Sequence, residues 1–391
     1  SQSLLLGSYP KDKSALALSF WGMTATVGPI AGPTLGGWIT DSYSWSWIFY
    51  INIPVGILAT TLTWIIYKDR ESPKVSLPID VVGLGLLVVW VGALQILLDK
   101  GKNLDWFNSS AIITLAIIAF ISFCYFIVWE LTQKNPIIDL SLFKIRNFTG
   151  GTIAISVGYA VFFGNLVLLP QWLQLDLNYP SINAGLSLAP LGIFAVISSP
   201  IVGKILPKVD ARIIVTTAFL LFGLVFFLRS LYTSNVDTFH LIMPTLLQGI
   251  PMALFFIPLS MIILSGLPHE KIPNAAGLSN FVRIFSGAIG TSIANTQWSN
   301  RSILHHAQLA EQANPYNSNF TQFIETSQSL LGISTQQSYA LYNNMLNIEA
   351  DMLGLNDIFW VSSIIFIALI PIVWLTKKPE HVNPSDASGS H

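Results

Sequence analysis

The feature that most constrains this chain is its long stretches without a single charged residue. The runs 14–40, 42–67, 106–129, 147–175, 177–203 and 238–269 contain no Asp, Glu, Lys or Arg. Each reaches the ~20 residues with which an α-helix crosses the hydrocarbon of a bilayer. Shorter runs occupy 81–98, 213–228 and 358–376, and 274–298 is interrupted only by Arg283. These ten segments predict ten membrane-spanning helices, because lipid offers no partner to an exposed backbone N–H or C=O. Barrel strands would instead give ~10-residue segments alternating between apolar and polar. Composition agrees: 52% of the 391 residues are hydrophobic and 10% charged, against roughly 25% charged in a soluble domain. A water-soluble enzyme and a disordered chain are both excluded. A net charge of −1 argues against a nucleic-acid binder. The single Cys124 excludes an intrachain disulfide framework and a Cys-based structural zinc site.

Ten spans assign alternate loops to two sides. One side holds Lys11, Lys13, Lys68, Arg70, Lys74, Lys134, Lys144, Arg146, Lys204, Lys208, Arg212, Lys271, Lys377 and Lys378, and the other only Lys100, Lys102, Arg229 and Arg301. The positive-inside bias makes the first side, and with it the C-terminus, cytoplasmic. The chain starts at Ser1 without Met and ends in SGSH. These ends read as a helix already under way and a tag linker, so the native protein is expected to extend upstream.

Two connections stand out. The amphipathic stretch 132–147 reads as an interfacial linker between two helical bundles. The stretch 299–353 is rich in Asn, Gln and Ser, and its segments SILHHAQLAEQ and TQQSYALYNNMLNIEADML have helical apolar spacing.

The first span carries Gly28, Pro29, Gly32, Pro33, Gly36 and Gly37. Gly28, Gly32 and Gly36 recur every four residues and share one face, against which a neighbouring helix is expected to approach closely. Pro29 and Pro33 disturb the hydrogen-bond ladder and bend the helix. Such a bent, bare-faced helix suits a moving interface.

The stretch GPIAGPTLGGWITDSYSWSWIFYINIPVG resembles the antiporter motif on the fifth helix of drug:proton antiporters in the major facilitator superfamily, the 14-helix branch in particular. Four further stretches are similar to the EmrB-type multidrug efflux transporters of that branch. These are IDVVGLGLLVVWVGALQILLDKGKNLDWF, VWELTQKNPIIDLSLFKIRNFTGG, LSGLPHEKIPNAAGLSNFVRIFSGAIGTSIANTQW and RSILHHAQLAEQANPYN. The resemblance runs from Ser1 to about Lys378. It implies an all-α, polytopic membrane protein of the major facilitator fold, with helices five to fourteen present and one to four absent. The implied parts are the remainder of an N-terminal six-helix bundle at 1–67, two inserted helices at 79–131 and the linker at 132–147. A C-terminal six-helix bundle at 148–376, which includes loop 299–353, and a cytoplasmic tail at 377–391 complete the chain.

The same resemblance implies alternating access by two rocking bundles and export of hydrophobic drug-like compounds across a bacterial inner membrane. Protons entering down their gradient drive that export, and no cofactor is expected. The implied partners are a periplasmic membrane-fusion adaptor of EmrA type and an outer-membrane channel of TolC type. The principal proton-coupling carboxylate of such proteins lies on the first helix, and a basic signature lies between helices two and three; neither is in this sequence.

A charge inside a bilayer is a functional hypothesis by default. Arg283 lies about nine residues, roughly 13 Å of rise, into its expected helix. Asn280 is one turn earlier on the same face. The pair is a candidate for gating or coupling, and the structural alternative is an Arg that fixes loop carbonyls or a carboxylate. By the resemblance, 149–172 and 241–265 line the cavity. Ser156, Tyr159, Phe163, Leu166 and Pro170 share a face of the first, and Gln248, Met252, Phe255 and Leu259 share a face of the second. Asn165 and Phe256 are neighbours that a small rotation would bring in. Aromatic rings, a Met and one amide make an adaptable apolar pocket, and ring faces also suit cations; packing or lipid contact is the alternative for each residue. Asp80, Asp99 and Glu130 read as caps or solvated span ends, and Asp351 and Asp357 flank the expected start of the last span. His305 and His306 with Glu311 read as surface residues, and no metal site is expected.

Three other classes fit less well. A facilitator importing or exporting a metabolite is disfavoured by the two Gly-Pro steps. A membrane-embedded enzyme lacks any HExxH, GxSxG or P-loop signature. A channel would repeat a pore-lining element.

Overall fold

The computed structural model describes residues 28, 31–68, 80–133 and 136–378. Expectations that fall on residues 1–27, on Pro29, or on Arg70, Lys74 and Lys134 lie outside the described residues. Every described element is helical. The long helices are α1 (31–42), α2 (Asn52–Tyr67), α3 (Val81–Gly101), α4 (Ser110–Thr132), α5 (Arg146–Leu175) and α6 (Ala189–Ile205). They continue with α7 (Ala211–Arg229), α8 (Thr238–Leu264), α9 (Ile272–Ala310), α10 (Ser318–Leu331) and α11 (Thr335–Ala368). Short helices at Trp47–Tyr50, Ser181–Leu186 and Ile370–Trp374 extend α2, α6 and α11.

Eight helices among the described residues are long and apolar enough to cross a membrane. The predicted span 274–298 lies within α9, which is too polar to count among the eight. The predicted span 14–40 is described only at residue 28 and from residue 31 onward. α9 differs from expectation in length as well. Its 39 residues rise about 58 Å, nearly twice the ~30 Å of hydrocarbon. Both segments of 299–353 with helical spacing are helix, the first as the end of α9 and the second as the start of α11. α10 closes the hairpin between them. Phe320 stacks on Tyr339 at 5.8 Å and meets Tyr342 edge-on at 4.9 Å. Ser334 starts α11 with a reciprocal capping box to Gln337.

Helices α5 to α9 and α11 pack as one bundle: α9 lies between α5 and α11, α8 against α6 and α7, and α7 against α11. An aromatic ladder fills its centre. Phe222 and Phe226 of α7 stack on Phe366 of α11 at 4.6 and 5.6 Å, and Phe255 of α8 meets Phe222 edge-on at 5.9 Å. α8 stays helical through Pro244, Pro251 and Pro258, which lie two turns apart on one stripe. Each proline removes one backbone donor, and in lipid that is tolerated where neighbouring helices cover the freed carbonyl. The inserted pair α3 and α4 leans on this bundle through α9, where Trp90 meets Phe285 edge-on at 5.2 Å. α2 buries none of its residues among the described ones, so its apolar surface faces lipid or chain outside them.

Polar contacts sort the helix ends onto two faces. At one face Arg212 donates to Thr376 O (3.2 Å) and Asn147 accepts from Lys377 N (2.6 Å). Arg146 donates to Leu375 O, and Lys271 Nζ donates to Asp139 (3.0 Å). Burial pushes the Asp139 carboxyl up, but hydrogen bonds from Ser141 and Lys271 outweigh it and hold the group below the usual carboxylate range. At the other face Asn356 donates to Tyr232 O (2.8 Å), and Arg301 and His305 gather around Asp357. Arg146, Arg212, Lys271 and Lys377, four of the basic residues read from the sequence as one side, therefore meet at one end of the bundle.

Candidate functional site

α1 meets the short helix Ser181–Leu186 almost backbone to backbone. The contact does not run along the face expected from the sequence. A Cβ placed on Gly28 or Gly32 meets nothing within 4 Å among the described residues, and one on Gly36 reaches only Ile48 at 4.0 Å. The touching face is the next one round, about 100° away, and carries Pro33, Gly37 and Asp41. A Cβ on Gly37 would stand 2.5 Å from Ser181 O, and one on Gly185 would overlap Pro33 O. Thr34 Oγ1 donates to Gly185 O (3.1 Å), and Asp41 accepts from Ile182 N (2.8 Å). The carboxylate thus caps a helix N-terminus across the seam, where its charge also suits the helix dipole. Gly185 lies in the uncharged run 177–203, with no glycine repeat around it to mark it as a contact point.

Deep in the bundle, α5, α8 and α9 bring Tyr159, Phe163, Phe256 and Arg283 together. Arg283 stands eleven residues into α9, about 17 Å of rise, and is 7% exposed. Its guanidinium lies 5.0 Å from the Tyr159 ring centroid and 5.3 Å from that of Phe256. Tyr159 stacks on Phe163 at 4.3 Å and meets Phe256 edge-on at 5.7 Å. A desolvated cation over aromatic faces gains about 2 kcal/mol. Two of the four rings that the sequence offered to a cationic ligand, Tyr159 and Phe256, carry the protein's own cation in this conformation. The backbones come close enough because α9 carries glycine here: a Cβ on Gly290 would overlap Ala160 O. Asn280, one turn before Arg283, is half-buried.

The remaining candidates sit apart from this cluster. Asn165 points to α11, donating to Ser362 Oγ (2.8 Å) and to Val161 O (2.7 Å), so it braces the bundle. Phe255 belongs to the aromatic ladder, and Met252 is fully enclosed in the core. Gln248 is also fully buried, with its Oε1 left without a hydrogen bond. In this conformation Gln248, Met252 and Phe255 are core rather than open cavity wall.

Several polar groups differ from their sequence readings. Glu130 was expected at a solvated span end but is buried, accepting from Ile138 N (3.0 Å) and so tying the linker to α4. Asp80 is the expected cap of α3, and it also accepts from Trp129 Nε1 at 2.9 Å. Asp357 lies well inside α11 rather than at its start and pairs with His305 at 2.8 Å, while His306 faces Asn343 at 3.0 Å. Arg229, assigned to a loop, is enclosed at the end of α7 and donates to Thr245 at 2.8 Å between the rings of Phe226 and Phe359. Asp176, just past α5, carries no signal in the sequence, because a lone carboxylate at a span end is common. Burial and the facing Asp351 carboxylate push it up to about 7.

Long apolar helices and the absence of any non-helical element among the described residues define an all-α polytopic membrane protein. The Major Facilitator Superfamily model matches residues 1–291, and the chain belongs to that family of membrane transporters. It is 48% identical over 383 residues to the fatty acid resistance protein FarB of Neisseria gonorrhoeae, covering 97% of this chain and 75% of that protein. It is 46% identical over 380 residues to the multidrug export protein EmrB of Escherichia coli K12, covering 97% and 74%. A probable multidrug resistance protein of the same organism, EmrY, is 44% identical over 384 residues.

Proposed function

We propose that the protein exports lipophilic toxic compounds across a bacterial inner membrane by alternating access, with inward proton flow as the energy source and no bound cofactor. The observation that carries this reading is the seam between α1 and Ser181–Leu186. There, Gly37 and Gly185 let the backbones of separate helix groups touch so closely that neither position has room for one side-chain carbon. A contact this close, held by two hydrogen bonds rather than by interlocked side chains, suits an interface that parts and re-forms during alternating access. Relatives named for fatty acid resistance and multidrug export support the cargo class. Arg283 supports it further, since a buried cation on the aromatic cluster favours neutral or weakly acidic cargo over cations. The face that holds Lys271, Arg212 and Lys377 is the cytoplasmic one, and the α9–α10–α11 hairpin on the other face is the surface offered to a periplasmic adaptor feeding an outer-membrane channel.

The test is growth of an efflux-deficient bacterium that expresses the full-length protein. Expression raises the inhibitory concentration of weakly acidic uncouplers and long-chain fatty acids, and Arg283→Ala abolishes the gain at equal protein level. Wild-type resistance in Arg283→Ala removes Arg283 from the mechanism, and no gain for any lipophilic compound removes the proposed activity.

A further inference from the structure

A polar cleft of about 400 Å³ opens where α3 ends, between α3, the end of α5 and α9. Gln95 and Asp99 line it from α3, Lys102 from the 3-10 turn that follows, Gln171 from α5, and Thr291, Ser292 and Asn295 from α9. Ser292 Oγ donates to Leu98 O (2.8 Å), which fixes the two walls against each other. Lipid-facing apolar side chains flank the cleft on both walls, with Ile96 and Ile293 each 52% exposed. Beyond it the chain turns through Asp105 and a short 3-10 helix, Trp106–Asn108, into α4, which sets the cleft at head-group depth. Asp99 receives one amide, from Gln95 at 3.0 Å, and no ion pair joins it to Lys102 among the described residues. Two opposite charges therefore stand on one rim, three positions apart, where side chains on a helix are about 5–6 Å from each other at Cβ.

We infer that this cleft holds the head group of a zwitterionic phospholipid with a primary ammonium. The ammonium has N–H donors for the Asp99 carboxylate and the Asn295 amide oxygen, and Lys102 meets the phosphate as a point charge. The acyl chains lie along the exposed apolar residues of α3 and α9. A purely anionic head group would satisfy Lys102 and leave Asp99 opposed to like charge. A trimethylated head group would bring no N–H donor to the carboxylate. The site is independent of the transport cycle proposed above, because none of its residues belongs to the seam or to the Arg283 cluster.

The experiment is native mass spectrometry of the delipidated full-length protein, titrated with phosphatidylethanolamine, phosphatidylcholine or phosphatidylglycerol of matched acyl chains. Free O-phosphoethanolamine serves as a soluble competitor. The expected result is retention of phosphatidylethanolamine about tenfold stronger than of the other two, with Asp99→Asn and Lys102→Gln each lowering it about tenfold. Both substitutions lie on an exposed rim, and folding is checked by unchanged melting of the variants. Equal retention of phosphatidylglycerol, or undiminished phosphatidylethanolamine binding in both variants, overturns the inference. So does displacement of the lipid by an equal concentration of phosphoethanolamine, which would make this a site for a soluble zwitterion.

Discussion

Among single residues, Arg283 is the cation enclosed by the aromatic cluster of the candidate site. Its guanidinium lies over two rings at 5.0 and 5.3 Å, a geometry that needs a planar cation. Arg283→Lys is therefore expected to fail almost as fully as Arg283→Ala, since a compact ammonium neither stacks nor spans both rings; the readout is the resistance assay at matched expression. Asp176 gives a pH prediction. Its carboxyl titrates near 7 in the folded protein and near 3.9 in an unfolded chain. A raised folded value adds stability that is complete below about pH 4 and is lost as pH climbs through about 7. The apparent melting temperature should therefore fall by a few degrees between about pH 5 and pH 9, and Asp176→Asn should flatten that slope. An unchanged slope in the variant would show that the Asp176–Asp351 pair is not its source. Arg283 was legible because it interrupts an otherwise uncharged run. Arg229 and Glu130 were not, because residues at span ends are ordinarily solvated, and only the folded packing shows them enclosed.

Helices differ from their sequence readings mainly in phase and length. The glycine repeat of α1 was visible, but the contact formed among the described residues uses the stripe beside it. The Pro33–Gly37–Asp41 stripe makes the contact, and periodicity alone cannot choose between adjacent stripes of small residues. α9 was cut short at 298 because its polar half resembles a loop in hydropathy, whereas tertiary packing on α5 and α11 carries the helix to Ala310. Gly290→Ala would drive a methyl group into Ala160 O. Overpacking against rigid backbone costs about 1–3 kcal/mol, so this variant should melt lower and lose the Arg283 cluster's geometry together with resistance. The seam can be tested by Asp41→Cys with Ile182→Cys in a Cys124→Ser background. A short thiol cross-linker should stop transport, and reduction should restore it. Full transport in the cross-linked protein would mean the seam does not open.

The whole molecule was legible in outline, since uncharged runs and basic loops follow from the cost of charge in lipid and of backbone without partners. How the parts lean on one another was not, because apolar helix surfaces do not announce their partners. The inserted pair rests on α9 through Trp90, and no pattern in 81–98 indicated that neighbour. The hairpin beyond the membrane also changes how adaptor docking must be probed. Removing 299–353 would cut through α9 and α11, whereas replacing 311–334 by a short linker removes α10 alone. That replacement should leave a folded protein that no longer captures the periplasmic adaptor proposed above, measured by co-purification. Retained capture would move docking elsewhere. Energy coupling is tested most directly with the full-length protein in proteoliposomes that carry an internal pH dye and an imposed proton gradient. A weakly acidic lipophilic drug is expected to trigger proton movement down the gradient, and a protonophore is expected to abolish uphill drug transport. Uphill transport that persists without a gradient, or drug movement that leaves internal pH unchanged, would contradict the proposed coupling.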